Sequence, residues 1–116
     1  MAKKYRWHKI AVSKDEIFLG EKSMQSLEAG GKKMCLAKFN GQLFACANTC
    51  PHASGVMSQG WIDDLGNVVC PLHRYKFSLA NGRNVSGEGY FLKTYPIEER
   101  QDGVYVGIPE ISLFGW

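Results

Sequence analysis

The dipeptide Asn40-Gly41 stands between two short apolar runs, Lys33 to Phe39 (KMCLAKF) and Gln42 to Ala47 (QLFACA). Asn and Gly tolerate the two positive φ angles of a type I′ turn, whose twist matches that of paired strands. The dipeptide therefore predicts a tight hairpin, and a hairpin of known turn length has a known register. Phe39 faces Gln42, and counting back places Cys35 opposite Cys46. The pair beside a two-residue turn is hydrogen-bonded, and alternation makes Cys35–Cys46 hydrogen-bonded too, with its Cβ atoms the farther apart. A disulfide wants Cβ atoms about 3.8 Å apart. Two packed thiols are expected there, with a redox pair as the alternative.

More turn signals follow at Leu65-Gly66-Asn67, Asn81-Gly82 and Gln101-Asp102-Gly103,. Thr94 to Glu98 and Val104 to Ile108 read as a closing hairpin, and Ser23 to Ala29 is the one segment whose period is ambiguous between helix and strand,. The expected fold is all-β: a small antiparallel β-sandwich or partly open barrel. At 116 residues without repeat or linker, residues 1–116 are expected to form a single domain,. The net charge of +3 is mild, and four cations (Lys3, Lys4, Arg6, Lys9) lie in the first ten residues. That reads as a solvated terminus rather than the basic stripe of a nucleic-acid binder. No apolar run approaches the roughly 20 residues of a spanning helix, and the N-terminus lacks a secretory apolar core. No membrane association and a cytoplasmic location are expected.

The four cysteines (Cys35, Cys46, Cys50, Cys70) are thus not expected to be a secreted disulfide framework,. Two of them belong to a doubled feature: Cys50-Pro51-His52, then 17 residues, then Cys70-Pro71-Leu72-His73. Either half alone would be weak; together they use two of four cysteines and two of three histidines. A nucleophilic Cys–His dyad would leave one pair unexplained. Zinc accepts a Cys₂His₂ set, although C-x-H is tighter than the usual zinc-finger spacing. On residue types alone zinc stays open.

The doubled motif resembles the binding motif of Rieske 2Fe–2S proteins. The likeness extends to Gly55 after the first ligand loop and to Phe77 and Asn81-Gly82-Arg83 after the second, covering roughly residues 34 to 108,. It implies a β-sandwich base with a cluster-binding subdomain at about residues 46–83. It also implies one 2Fe–2S cluster, with Cys50 and Cys70 on one iron and His52 and His73 on the other. The imidazole-bound iron would take the electron, at a potential above that of an all-cysteine cluster. The outer histidine nitrogens would face solvent and make electron uptake pH-sensitive. A partly apolar docking rim is expected from Met57, Leu72 and Tyr75, with core packing as the other reading for Met57.

Departures from the family sort its subtypes. Proteins of the quinol-oxidising membrane complexes join their ligand loops by an extra disulfide; Gly55 and Leu72 stand in those places. Their serine and tyrosine donors to the cluster sulfurs are replaced by Tyr75 and Phe77, which implies a lower potential, near about −150 mV. Where the family carries a proline-bearing loop over the cluster, Ser86-Gly87-Glu88-Gly89 has no proline, and the shielding is left open. After His52 and His73 only His8 remains, too few for the mononuclear iron of an oxygenase,. The resemblance therefore implies a one-electron carrier rather than an enzyme, passing electrons from a flavin-containing reductase to a terminal oxygenase or reductase. The alternative is the small subunit of an NADH-dependent nitrite reductase; a zinc-stabilised interaction module is third.

Overall fold

The computed structural model describes residues 4–17, 23–52 and 54–110. Along these residues run β1 (Tyr5–Ala11), β2 (Met24–Ala29), β3 (Lys32–Phe39), β4 (Gln42–Ala47), β5 (Trp61–Ile62), β6 (Asn67–Val69), β7 (Lys76–Ser78), β8 (Thr94–Tyr95), β9 (Ile97–Arg100) and β10 (Gly103–Pro109). Two single 3₁₀ turns, Lys14–Glu16 and Met57–Gln59, complete them. The strands form three antiparallel sheets, ordered β1-β10-β9, β2-β3-β4-β8 and β5-β6-β7. The all-β expectation holds.

The central hairpin forms as its turn dictates. Asn40 and Gly41 have φ of 52° and 77°, and Phe39 pairs with Gln42 and Cys35 with Cys46. A second tight turn at Gly30-Gly31 pairs Ala29 with Lys32. Because β2 then pairs along β3 from Met24 to Ala29, the ambiguous segment is strand; sheet pairing overrides its weak helical period.

The closing segment differs from the expected uninterrupted strand over Thr94 to Glu98. Pro96 divides it: Tyr95 pairs with Ala45 of β4, whereas Ile97 pairs with Val106 of β10. Proline has no N–H to give a ladder. Its carbonyl accepts the Gly107 N–H at 2.9 Å, so the chain changes sheets there,.

The β2-β3-β4-β8 sheet is the middle layer. Met34, Leu36, Leu43 and Ala45 on one face pack against Val104, Val106 and Ile108 of β10. Met24, Cys35, Ala37 and Cys46 on the other face pack with Val68, Phe77, Leu79 and Leu92, and with Cys50 and Cys70. Since β3 is buried on both sides, KMCLAKF shows no alternation,. Cys35 donates its S–H to Met24 Sδ at 3.7 Å. The hydrogen bond with Cys35, followed by burial, pushes the Cys46 thiol well up. All four cysteines are free, so this pair is two packed thiols. Among the described residues no helix is long and apolar enough to cross a membrane.

Candidate metal centre

Two short loops meet, one following β4 and the other joining β6 to β7. The first is closed by the Cys50 N–H donating to Gly55 O at 2.8 Å and by a bridge between Thr49 and Val56. Asn48 anchors its base, accepting Met57 N–H on its carbonyl at 2.8 Å and Ser58 N–H on Oδ1 at 2.9 Å. The second loop, between β6 and β7, is closed by the Cys70 N–H donating to Tyr75 O at 2.9 Å. Within it His73 and Arg74 take φ of 70° and 61°. Consecutive left-handed residues that are not glycine are costly, of order 1–3 kcal/mol each. This turn leaves Cys70 buried while His73 is exposed three residues later.

The loops bring the four expected residues together. Cys50 Sγ lies 2.6 Å from His52 Nδ1, and the ligand atoms of Cys50, His52 and Cys70 all lie within 4.8 Å of one another. His73 joins at the outer edge, its Nδ1 3.1 Å from His52 Nε2. Burial is graded across the group: Cys70 is 0% and Cys50 2% exposed, His52 is half-buried and His73 is exposed. Burial pushes the Cys70 thiol up; the Leu72 N–H pulls the other way, and neighbouring Cys50 adds to the rise. A cation entering here must displace those protons, as thiolate coordination requires.

Gly55 tests whether a metal group fits. A Cβ at Gly55 would lie 2.5 Å from Cys70 Sγ and 3.2 Å from Leu72 Cβ. Space beside the sulfur is thus kept by the missing side chain. Two thiols and two imidazoles on that space are a donor set that iron–sulfur and zinc centres both use. Gly55 and Leu72, which the resemblance sets in the places of the membrane-complex disulfide, thus lie close together.

The expected rim changes. Met57 is fully buried in the core and leaves it, whereas Leu72 is 40% exposed. The Tyr75 ring lies 3.9 Å from the His52 ring, centroid to centroid, and Phe77 is fully buried without a hydroxyl. Tyr90 was not legible from the sequence; its ring centroid is 5.8 Å from His52 and 5.8 Å from Tyr75. The nearest signal is the glycine-rich segment before it. In that segment the Glu88 carboxyl is held below the usual range, first by the Ser86 hydrogen bond, then by Asn84, with His52 a smaller contributor.

Comparison with known proteins agrees with this geometry. A family model described as a Rieske-like [2Fe-2S] domain matches residues 6–107. Nitrite reductase [NAD(P)H] of Emericella nidulans is 33% identical over 99 residues, 78% of this chain but 9% of that protein's length. The 3-phenylpropionate/cinnamic acid dioxygenase ferredoxin subunit of Photorhabdus laumondii is 31% identical over 78 residues, 66% of this chain and 74% of that one. A chain in the complex of reduced oxygenase and oxidised ferredoxin of carbazole 1,9a-dioxygenase superposes with a TM-score of 0.74 at 21% identity, covering 91% of this chain and 97% of its own length. The structural likeness speaks to fold, and the family match, over most of the chain, settles descent: this chain belongs to the Rieske-like [2Fe-2S] domain family.

Proposed function

We propose that the chain is a ferredoxin-type electron carrier in which Cys50 and Cys70, through Sγ, and His52 and His73, through ring nitrogens, hold a [2Fe–2S] cluster. The observation that carries this is the graded convergence of two buried sulfurs, the half-buried His52 ring and the exposed His73 ring beside it. When bound, such a group supplies one-electron redox chemistry. The protein's part is to exclude water from the sulfur end with Met57, Phe77 and Leu92, and to leave the imidazole end open to a partner. The acceptor is a terminal oxygenase, in keeping with the ferredoxin relatives, and the proposed donor is a flavin-containing reductase. A cytoplasmic location belongs to the same reading.

Purified protein should be reddish-brown, contain iron and sulfide, and become paramagnetic on reduction. Cys70→Ser or His73→Cys should abolish or transform the visible spectrum, while Cys35→Ser and Cys46→Ser should preserve it. Loss of the spectrum with Cys46→Ser, or a colourless zinc-containing protein that stays folded, would overturn the assignment. The similarity to nitrite reductase supports a second reading, a subunit of such a complex; stable co-purification with a sirohaem protein would establish it over the free carrier.

A further inference from the structure

The segment from Asn84 to Gly89 contains no proline, yet it is tied down more tightly than its glycines imply. Asn84 Nδ2 donates to Lys76 O at 3.1 Å, to Ser86 Oγ at 3.3 Å and to Glu88 Oε1 at 2.9 Å. Its Oδ1 accepts the N–H groups of Glu88 at 2.5 Å and Gly89 at 3.0 Å. Ser86 Oγ accepts the Lys76 N–H at 2.9 Å and donates to Glu88 Oε1. A further backbone bond runs from Val85 N to Lys76 O at 2.9 Å. One amide side chain thus spans the turn and fastens it to β7, while Gly87 and Gly89 supply φ of 94° and 86°.

The next residue is Tyr90, and its placement is what the turn delivers. Its ring stacks on Tyr75 with 29° between planes and approaches His52; Tyr75 in turn lies against His52 and, at 6.2 Å, near His73. Tyr90 is 42% exposed, so its ring is partly covered where it packs near His52 and Tyr75. Resting on the ligand assignment above, we infer that Tyr90 is an aromatic cap over the histidine end of the site, and that Asn84 is the positioning residue that holds it there. The physical role is exclusion of water. Two thiolates, two sulfides and two ferric ions are near neutral together, and uptake of one electron adds one negative charge. Water near the site stabilises the more charged reduced form, so a cap that excludes water holds the reduction potential down.

The test is a redox titration of loaded protein with a one-electron chemical reductant. Tyr90→Ala should raise the midpoint potential, and Tyr90→Phe, which keeps the ring, should leave it near wild type. Asn84→Ala should raise it in the same direction, and should add nothing in the Tyr90→Ala background, because two residues acting through one contact are non-additive. If Asn84→Ala does not fold, Ser86→Ala loosens the same turn at an exposed position and should show the same dependence on Tyr90. An unmoved potential in Tyr90→Ala, or an equal shift in Tyr90→Phe, overturns the cap. Full additivity overturns the positioning role and points to the Glu88 charge instead. Wild-type protein without iron and sulfide would sink the cluster reading itself, whereas loaded wild type with an unresponsive Tyr90→Ala would sink the cap alone.

Discussion

A single hydrogen at Gly55 keeps space for a metal group. In Gly55→Ala the new methyl would sit 2.5 Å from Cys70 Sγ, with Leu72 Cβ closing the other side at 3.2 Å. Leu72 Cβ is fixed to its backbone and Cys70 Sγ ends a short, fully buried side chain, so the sulfur must move. The fold is expected to survive and the iron and sulfide content per chain to fall steeply; wild-type content in the folded variant would show that the close approach is unnecessary. Arg74 makes the opposite case, a residue whose backbone would prefer to be glycine. At φ 61° it carries a left-handed penalty that Arg74→Gly removes. After subtracting the extra unfolded-chain entropy of glycine, apo-protein stability should rise by roughly 0.5–1 kcal/mol. Urea unfolding would check this, and an unchanged midpoint would mean the turn carries no strain.

Hairpins were the most legible elements, for a local reason. Asn40-Gly41 encodes its own turn, and a turn length encodes register, so the Cys35–Cys46 pairing followed without tertiary information. Where structure depended on distant partners, local pattern misled. By local pattern Pro96 is compatible with one strand, yet its two sides pair in different sheets, and β2 alone is ambiguous because pairing with β3 supplies what its own period lacks. The ligand loops were legible because Cys and His at short spacing have few innocent explanations. Tyr90 was not, since its contact with His52 spans 38 positions and its delivery depends on the Asn84 side chain. The β5–β6 turn offers a test at this scale. Asp63 accepts Leu65 N–H and Asn67 N–H on Oδ1, both at 2.9 Å, and Asn67 Nδ2 on Oδ2 at 3.0 Å. Burial alone would raise its carboxyl; the Asn67 and Leu65 donors, with Lys76, outweigh that and lower it from 3.8. A depressed native value means stability that is present above about pH 4 and lost as pH falls through it. The stability gap between wild type and Asp63→Asn should therefore be constant above that pH and shrink below it in acid-to-neutral urea titrations. A gap independent of pH would contradict the charge-based account.

Across the whole molecule, the middle sheet separates two buried groups with different duties. Val106 belongs to the group facing β10, and Leu92 to the group containing Cys50 and Cys70. Val106→Ala should cost roughly 2 kcal/mol of stability and leave iron per folded chain unchanged. Leu92→Ala should cost about 2–5 kcal/mol and lower the iron content as well. Equal iron loss in both would show that the middle layer transmits disturbance rather than isolating it. The burial gradient from cysteine to histidine has a consequence for how such a protein matures. Among the described residues Cys70 and Cys50 are buried and His73 is exposed, so iron is expected to enter the folded chain from the imidazole side. Assembly is then a matter of timing: supplying iron and sulfide during refolding should load the chain faster than supplying them to folded apo-protein, and equal rates would mean that the folded chain admits them freely.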